Sequence, residues 1–333
     1  MKFIIIKFLK SIDLKLSLSC MIDVLSILIK RFSAFSVVGN TERNEIKMKK
    51  YTEQKFVGER ALFQSTDLEI SYCTFEDGES PLKESRNLHI TDSNFKWKYP
   101  LWYCNNVTME DGVLFEMARA GIWYTDNLNM KNVTINAPKT FRRCNGLFLD
   151  HVYLPDASET LWNCNQVIMH NTTAKGDYFG MGSLNIEIDG FSLVGNYAFD
   201  GVKNLTIRNA NMLTKDAFWN CENVTVYDSF ISGEYLGWNS KNVTLVNCTI
   251  ESLQGMCYMK NLVLKDCKLL NTNLAFEYST VDATVDGSIE SVKNPYSGSI
   301  VADHIGEVIY DNLEMKKENT QITIRKEKEA IAI

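Results

Sequence analysis

The stretch KNLTIRNANMLTKDAFWNC, Lys203–Cys221, runs without a gap into ENVTVYDSFISGEYLGWNS (222–240), KNVTLVNCTIESLQGMCYM (241–259) and KNLVLKDCKLLNTNLAFEY (260–278). Each copy carries Asn at its second place and apolar residues at the first and third places after it: Leu205 and Ile207, Val224 and Val226, Val243 and Leu245. Alternation over so short a run is the period of a strand with one buried face. Five places after each Asn stands a second turn former, Asn209, Asp228, Asn247 or Asp266. Asn and Asp tolerate left-handed backbone angles, so they bracket the strand with corners. The pattern continues upstream through Asn185, Asn127, Asn106 and Asn87, with Gln166 and Gly146 in its two gaps and Asp67 opening an earlier copy. Weaker copies near Val281 and Ala302 bring the total to about twelve.

A unit this short cannot bury its own apolar face, so copies must stack. Short strands laid on their own copies make parallel sheets with rungs roughly 4.8 Å apart, and about twelve rungs make a rod on the order of 55 Å long. Asn side chains in one column can then hydrogen-bond from rung to rung. Leucine-rich repeats place their Asn differently relative to the strand leucines. A period of nineteen is no multiple of five or six, which disfavours pentapeptide and left-handed hexapeptide helices. The expected fold is all-β: a right-handed parallel β-helix of coils of 19–21 residues.

The segments FVGERALF (56–63), DGESPLKES (77–85), APKTFRRC (137–144), GDYFGM (176–181), DAFWNCENVTVYDSFISGEYLGWNS (216–240) and ESLQGMCYMKNL (251–262) resemble the bacterial family called domain of unknown function 3737. The resemblance covers roughly residues 48–312. It implies a single β-helix domain and brings no established activity to transfer.

The first 47 residues fall outside the pattern. MKFIIIKFLK starts like a secretory signal, but Lys7, Lys10, Asp13 and Lys15 interrupt every apolar core, and MIDVLSILI is too short to span a bilayer. Residues 1–47 are therefore expected to be an over-extended gene start, with translation beginning at Met48. Residues 48–312 form the β-helix and 313–333 a charged tail. YTEQKFVGERALF is expected to cap the first coil, because open strand edges invite pairing with other chains.

A net charge of -6 and the lack of a Lys/Arg cluster in the repeats argue against nucleic acid as a partner. No membrane span is expected, and the oligomeric state is left open. The nine cysteines lack metal-ligand spacing, so neither a metal nor another cofactor is expected. Cys73, Cys248 and Cys267 share one coil position, and Cys104, Cys144, Cys164 and Cys221 share another. Columns of small residues suit a narrow interior, which points to reduced structural thiols and a cytoplasmic location.

Two columns are candidates for function. Trp102, Trp123, Trp162, Trp219 and Trp238 occupy one position, with Phe276 expected there too, and could offer rings to a sugar ligand. Alternation with the buried Cys two places on favours an interior stack instead, while Arg142 and Asp200 in the same column oppose it. The second column lies four places after the corner, on the outer side: Lys131, Asp150, His170, Asp189 and Arg208, preceded by Glu110. An imidazole between two carboxylates suits a general base with a raised pKa, whereas alternating charges on parallel strands also make an ordinary exposed ladder. A looser acidic group, Glu159, Asp177, Asp216 and Glu234, falls in the variable part of the coil. The expected function is a binding scaffold for a saccharide-like ligand or a protein partner. The alternatives are a carbohydrate-active lyase, hydrolase or isomerase using the His170 column, and a self-assembling structural rod.

Overall fold

The computed structural model describes residues 47–325. The expected N-terminal extension, Lys47 apart, and the tail beyond Arg325 lie outside them. Within them the chain is a right-handed parallel β-solenoid, with 23 strands in one continuous sheet.

Glu222–Tyr227 pairs in parallel with Lys203–Leu213 on one side and Lys241–Val246 on the other, aligning Leu205, Val224 and Val243. The same pairing runs without interruption from Lys49–Thr52 to Thr320–Ile324. The segment expected to cap the first coil instead forms it, since Lys49–Thr52 and Lys55–Phe56 are rungs paired with the next coil. Likewise Thr320–Ile324, within the expected tail, is a strand. A second short strand follows most corners, such as Phe230–Ser232. In the coils at 165–175, 184–194, 203–213 and 260–270 it merges with the first into one strand of 11 residues.

The corner residues behave as their chemistry requires. Asn204, Asn223, Asn242 and Asn261 all have φ between 55° and 59° and drop out of the strand register. Their amides form a ladder in which each Nδ2 donates to the preceding Oδ1 at 2.9 Å, from Asn261 back to Asn185. At the two gaps the ladder steps sideways by one residue, running from Asn185 to Asn165 and on to Asn145. A shorter ladder follows the second corner, where Asn209 donates to Asp189 and Asn247 to Asp228, each at 2.7 Å.

Inward-facing residues fill the coil from end to end. Aromatic side chains stack at rung spacing there, as Phe75 does on Phe95 (4.7 Å) and Phe199 on Phe218 (5.8 Å). The eight described cysteines are buried and unpaired. Those of the two expected columns donate to main-chain carbonyls of the preceding coil, as Cys221 does to Phe199 and Cys248 to Val226. Cys257 stands outside both columns. Burial pushes the thiols of Cys104 and Cys221 up to about 12, as expected for sulfur used as a small hydrophobe.

Candidate functional site

Strand alternation sends residues two and four places after the corner to the outer face of the main sheet. Strand pairing aligns Glu110, Lys131, Asp150, His170, Asp189, Arg208 and Tyr227 in one column on consecutive rungs. The five expected catalytic residues are thus neighbours, but the side chains of four of them turn to other partners. Asp150 Oδ1 lies 2.8 Å from His151 Nδ1, and Asp189 accepts from Asn209. The Arg208 guanidinium lies 3.9 Å from the centroid of the Tyr227 ring. The His170 ring stands perpendicular to that of Phe148, their centroids 5.4 Å apart. Among the described residues no ion pair joins two members of the column, and neither His170 ring nitrogen is hydrogen-bonded.

His170, Asp189 and Arg208 nevertheless line a shallow depression of about 370 Å³ with Glu187, Ile188 and Thr206. A second depression, of about 420 Å³, adjoins it along Asn185, Asn204, Asn223 and Asn242 and shares Glu187 and Thr206 with it. Glu187 and Thr206 escaped the sequence reading. They sit two places after the corner, the other outward position of the same strand, and alternation alone would have found them.

The Trp residues do form a column, but it lies outside the coil rather than in its core. Trp102, Trp123, Trp162, Trp219 and Trp238 are each half-buried, and the residues before them, such as Leu161 and Phe218, fill the interior. Four of the indoles donate to a main-chain carbonyl of the next coil, Trp162 to Tyr178 at 2.6 Å and Trp219 to Tyr235 at 2.8 Å among them. Trp102 and Trp123 stack at 5.1 Å and 9°. Arg142 takes the next place, with its guanidinium 5.0 Å from the Trp123 ring and 4.3 Å from the Trp162 ring. Ring faces in this part of the ladder are therefore covered by neighbours and closed to a sugar. Phe276 is not in the column. It packs one place earlier, fully buried, and Glu277, 5% exposed, holds the Trp position and pairs with Lys293 at 3.2 Å.

The acidic group divides by partner. Glu159 bonds Arg142 at 2.7 Å and Lys139 at 3.3 Å. Burial alone would push its carboxyl up, but those two cations outweigh burial and hold it below the ordinary range. Glu234 pairs with Lys215, and Asp177 accepts from the Asn196 main chain. Asp216, 8% exposed, has no paired cation among the described residues. Its carboxyl is pushed above the ordinary range by burial and, behind that, by the charge of Glu234. Among the described residues no cluster of His, Cys, Asp and Glu could hold a metal, and no helix is long and apolar enough to cross a membrane.

A stacked parallel coil with a polar outer groove defines the class of protein. The chain belongs to the family described as "Protein of unknown function (DUF3737)", whose model matches residues 49–323. No curated protein matches it. Among solved structures, it is similar to the A-module of the Azotobacter vinelandii mannuronan C-5 epimerase AlgE4, with 11% identity over 84% of this chain and 90% of that one (TM-score 0.26). The tailspike protein of E. coli bacteriophage HK620, in complex with a pentasaccharide, is 9% identical over 82% and 72% (TM-score 0.32). The catalytic domain of a GH87 alpha-1,3-glucanase in complex with tetrasaccharides is 11% identical over 84% and 64% (TM-score 0.29). These are likenesses of fold alone.

Proposed function

We propose that the solenoid binds an extended, saccharide-like chain in the groove on the outer face of its main sheet. The observation that carries this reading is the continuity of the two depressions through Glu187 and Thr206, which makes one polar trough along the coil axis. A hydroxyl-rich chain needs donors and acceptors repeated along its length. The amide ladder supplies them, because each Asn spends one N–H on its neighbour and keeps the other for a ligand. Arg208, on the middle rung of the trough, suits an acidic group on the ligand, since a guanidinium bonds a carboxylate through two parallel N–H groups.

A second reading, acid–base chemistry on the bound chain, is favoured by the free ring nitrogens of His170. With Asp189 and Arg208 on the next two rungs, His170 could exchange a proton with a ligand whose acidic group Arg208 holds.

The test is a binding and turnover screen over uronate oligomers, neutral oligosaccharides and sugar phosphates, run on the parent and on His170→Gln, Asp150→Asn, Glu187→Gln and Arg208→Gln. Glu187→Gln and Arg208→Gln are expected to weaken binding, and His170→Gln to abolish any turnover while leaving binding in place. Ligand affinities equal to the parent in both groove variants would overturn the groove. Turnover surviving in His170→Gln would overturn the second reading.

A further inference from the structure

The aromatic ladder, apart from the groove, contains an internal example of what fits one of its places. At Arg142 a guanidinium lies between two indoles and donates to the Glu159 carboxylate of the next coil at 2.7 Å. A cation over aromatic faces is attracted by the ring quadrupoles, and a charged hydrogen bond to a carboxylate fixes its plane.

Three coils on, main-chain hydrogen bonds carry that place through Trp162 and Met181 to Asp200. The same pairing carries the place of Glu159 through Tyr178 and Tyr197 to Asp216. Here the carboxylate is present and the cation is missing. Asp216 is more than nine-tenths buried and faces the Tyr197 hydroxyl, with no paired cation among the described residues, and the adjacent Lys215 is committed to Glu234 at 3.1 Å. Asp200 has one oxygen engaged by Asn220 at 2.9 Å, and among the described residues nothing hydrogen-bonds the other. Aromatic walls remain. Tyr197 stacks on Tyr178 at 4.8 Å and stands edge-on to Trp219 at 6.1 Å.

There is also room. The neighbouring column holds Tyr103, Tyr124, Arg143 and Asn163 in earlier coils, then Gly182 and, in the coil of Asp200, Gly201, with Asn220 in the coil of Asp216. A Cβ placed on Gly201 would meet nothing closer than the Gly182 Cα at 4.0 Å. A side chain is thus withdrawn at Gly201, beside two carboxylates and two aromatic rings, whereas the Asn163 amide oxygen already covers Gly182.

We propose that this slot, formed by Asp200, Asp216, Tyr197 and Trp219, binds a guanidinium group presented as an arginine side chain by a polypeptide partner. It goes beyond the groove reading and uses none of its residues. The slot keeps the carboxylate and one of the two indoles of the Arg142 arrangement, with Met181 in the place of the other indole and the cation supplied from outside.

The experiment titrates the full chain with a blocked arginine amide, a blocked lysine amide, a neutral oligosaccharide and a short arginine-containing peptide, following the Trp219 indole N–H by NMR. A saturable shift is expected with the arginine compounds, tighter for the peptide and weaker for lysine. Asp216→Asn should weaken it at least tenfold. Gly201→Asn should do the same by filling the slot with the residue this column carries at Asn220 and Asn239. Glu187→Gln, in the groove, should leave it unchanged. The proposal is overturned by the absence of a saturable shift with arginine, by parent affinity in Gly201→Asn, or by a peptide no tighter than the amide.

Discussion

Replacing Asn223 by Ala removes three things at once. Asn223 Nδ2 donates to Asn204 and Asn223 Oδ1 accepts from Asn242, both at 2.9 Å, and the backbone holds φ 59°. Exposed side-chain hydrogen bonds belong at the low end of the usual net value, about 0.5 kcal/mol each. Holding Ala in the left-handed region costs about 1 kcal/mol more than holding Asn there. The expected loss is therefore about 2 kcal/mol, several times that of an ordinary surface substitution. Asn223→Gly separates the contributions, because it loses the same two bonds but accepts the backbone angle. It should lose about 1 kcal/mol less than Ala. Urea unfolding of the parent and both variants, monitored by Trp fluorescence, reads the differences as midpoint shifts at constant slope. A parent-like midpoint for Asn223→Ala, or Ala and Gly variants that coincide, would refute the reasoning at this corner.

Three further outcomes are expected. The raised pKa of Asp216 means the folded state holds its proton more tightly than the unfolded chain does, so its contribution to stability is present below the ordinary carboxylate pKa and is lost as pH rises through the raised value; Asp216→Asn should gain stability over the parent at pH 7 and little or none at pH 3, by denaturation at both pH values. Phe218→Ala, at a 1% exposed site stacked on Phe199, should lose about 3–5 kcal/mol, and a melting temperature within 2 °C of the parent (about 1 kcal/mol at most) would contradict the packing. With thiols pushed to about 12, roughly one in ten thousand is ionised at pH 8, so Cys104 and Cys221 should resist iodoacetamide in the native protein and react in denaturant, checked by mass spectrometry.

The coil was readable because its signals are local. Asn223, Val224, Val226 and Asp228 state a corner, two inward positions and a second corner within six residues, and neighbouring copies repeat them. The outer column from Lys131 to Arg208 followed from the same alternation. What alternation cannot do is cross a corner. Asn220 between Trp219 and Cys221 has φ 55°, so Trp219 and Cys221 do not share a face although they stand two apart, and the ladder reads falsely as core. Phe276 was misplaced for a related reason. Tyr258 and Tyr278 hold equivalent places, but Tyr278 lies one residue closer to its corner at Thr280 than Tyr258 does to Asn261, so counting back from the corner lands one place early. Side-chain partners, such as His151 for Asp150 and Tyr227 for Arg208, depend on rotamers that no spacing encodes.

The pairing of each coil with only its two neighbours determines how the molecule yields to force. Among the described residues nothing ties the first rung to the last, so tension applied at the ends of the coil has no shear plane to load and must peel strands from an end. Each coil released exchanges a rise of roughly 4.8 Å for about 65 Å of extended chain. An optical trap should therefore record a long plateau of small, nearly equal steps near one constant force. In the hand of a pulling instrument this protein is a zipper whose teeth are nineteen residues long.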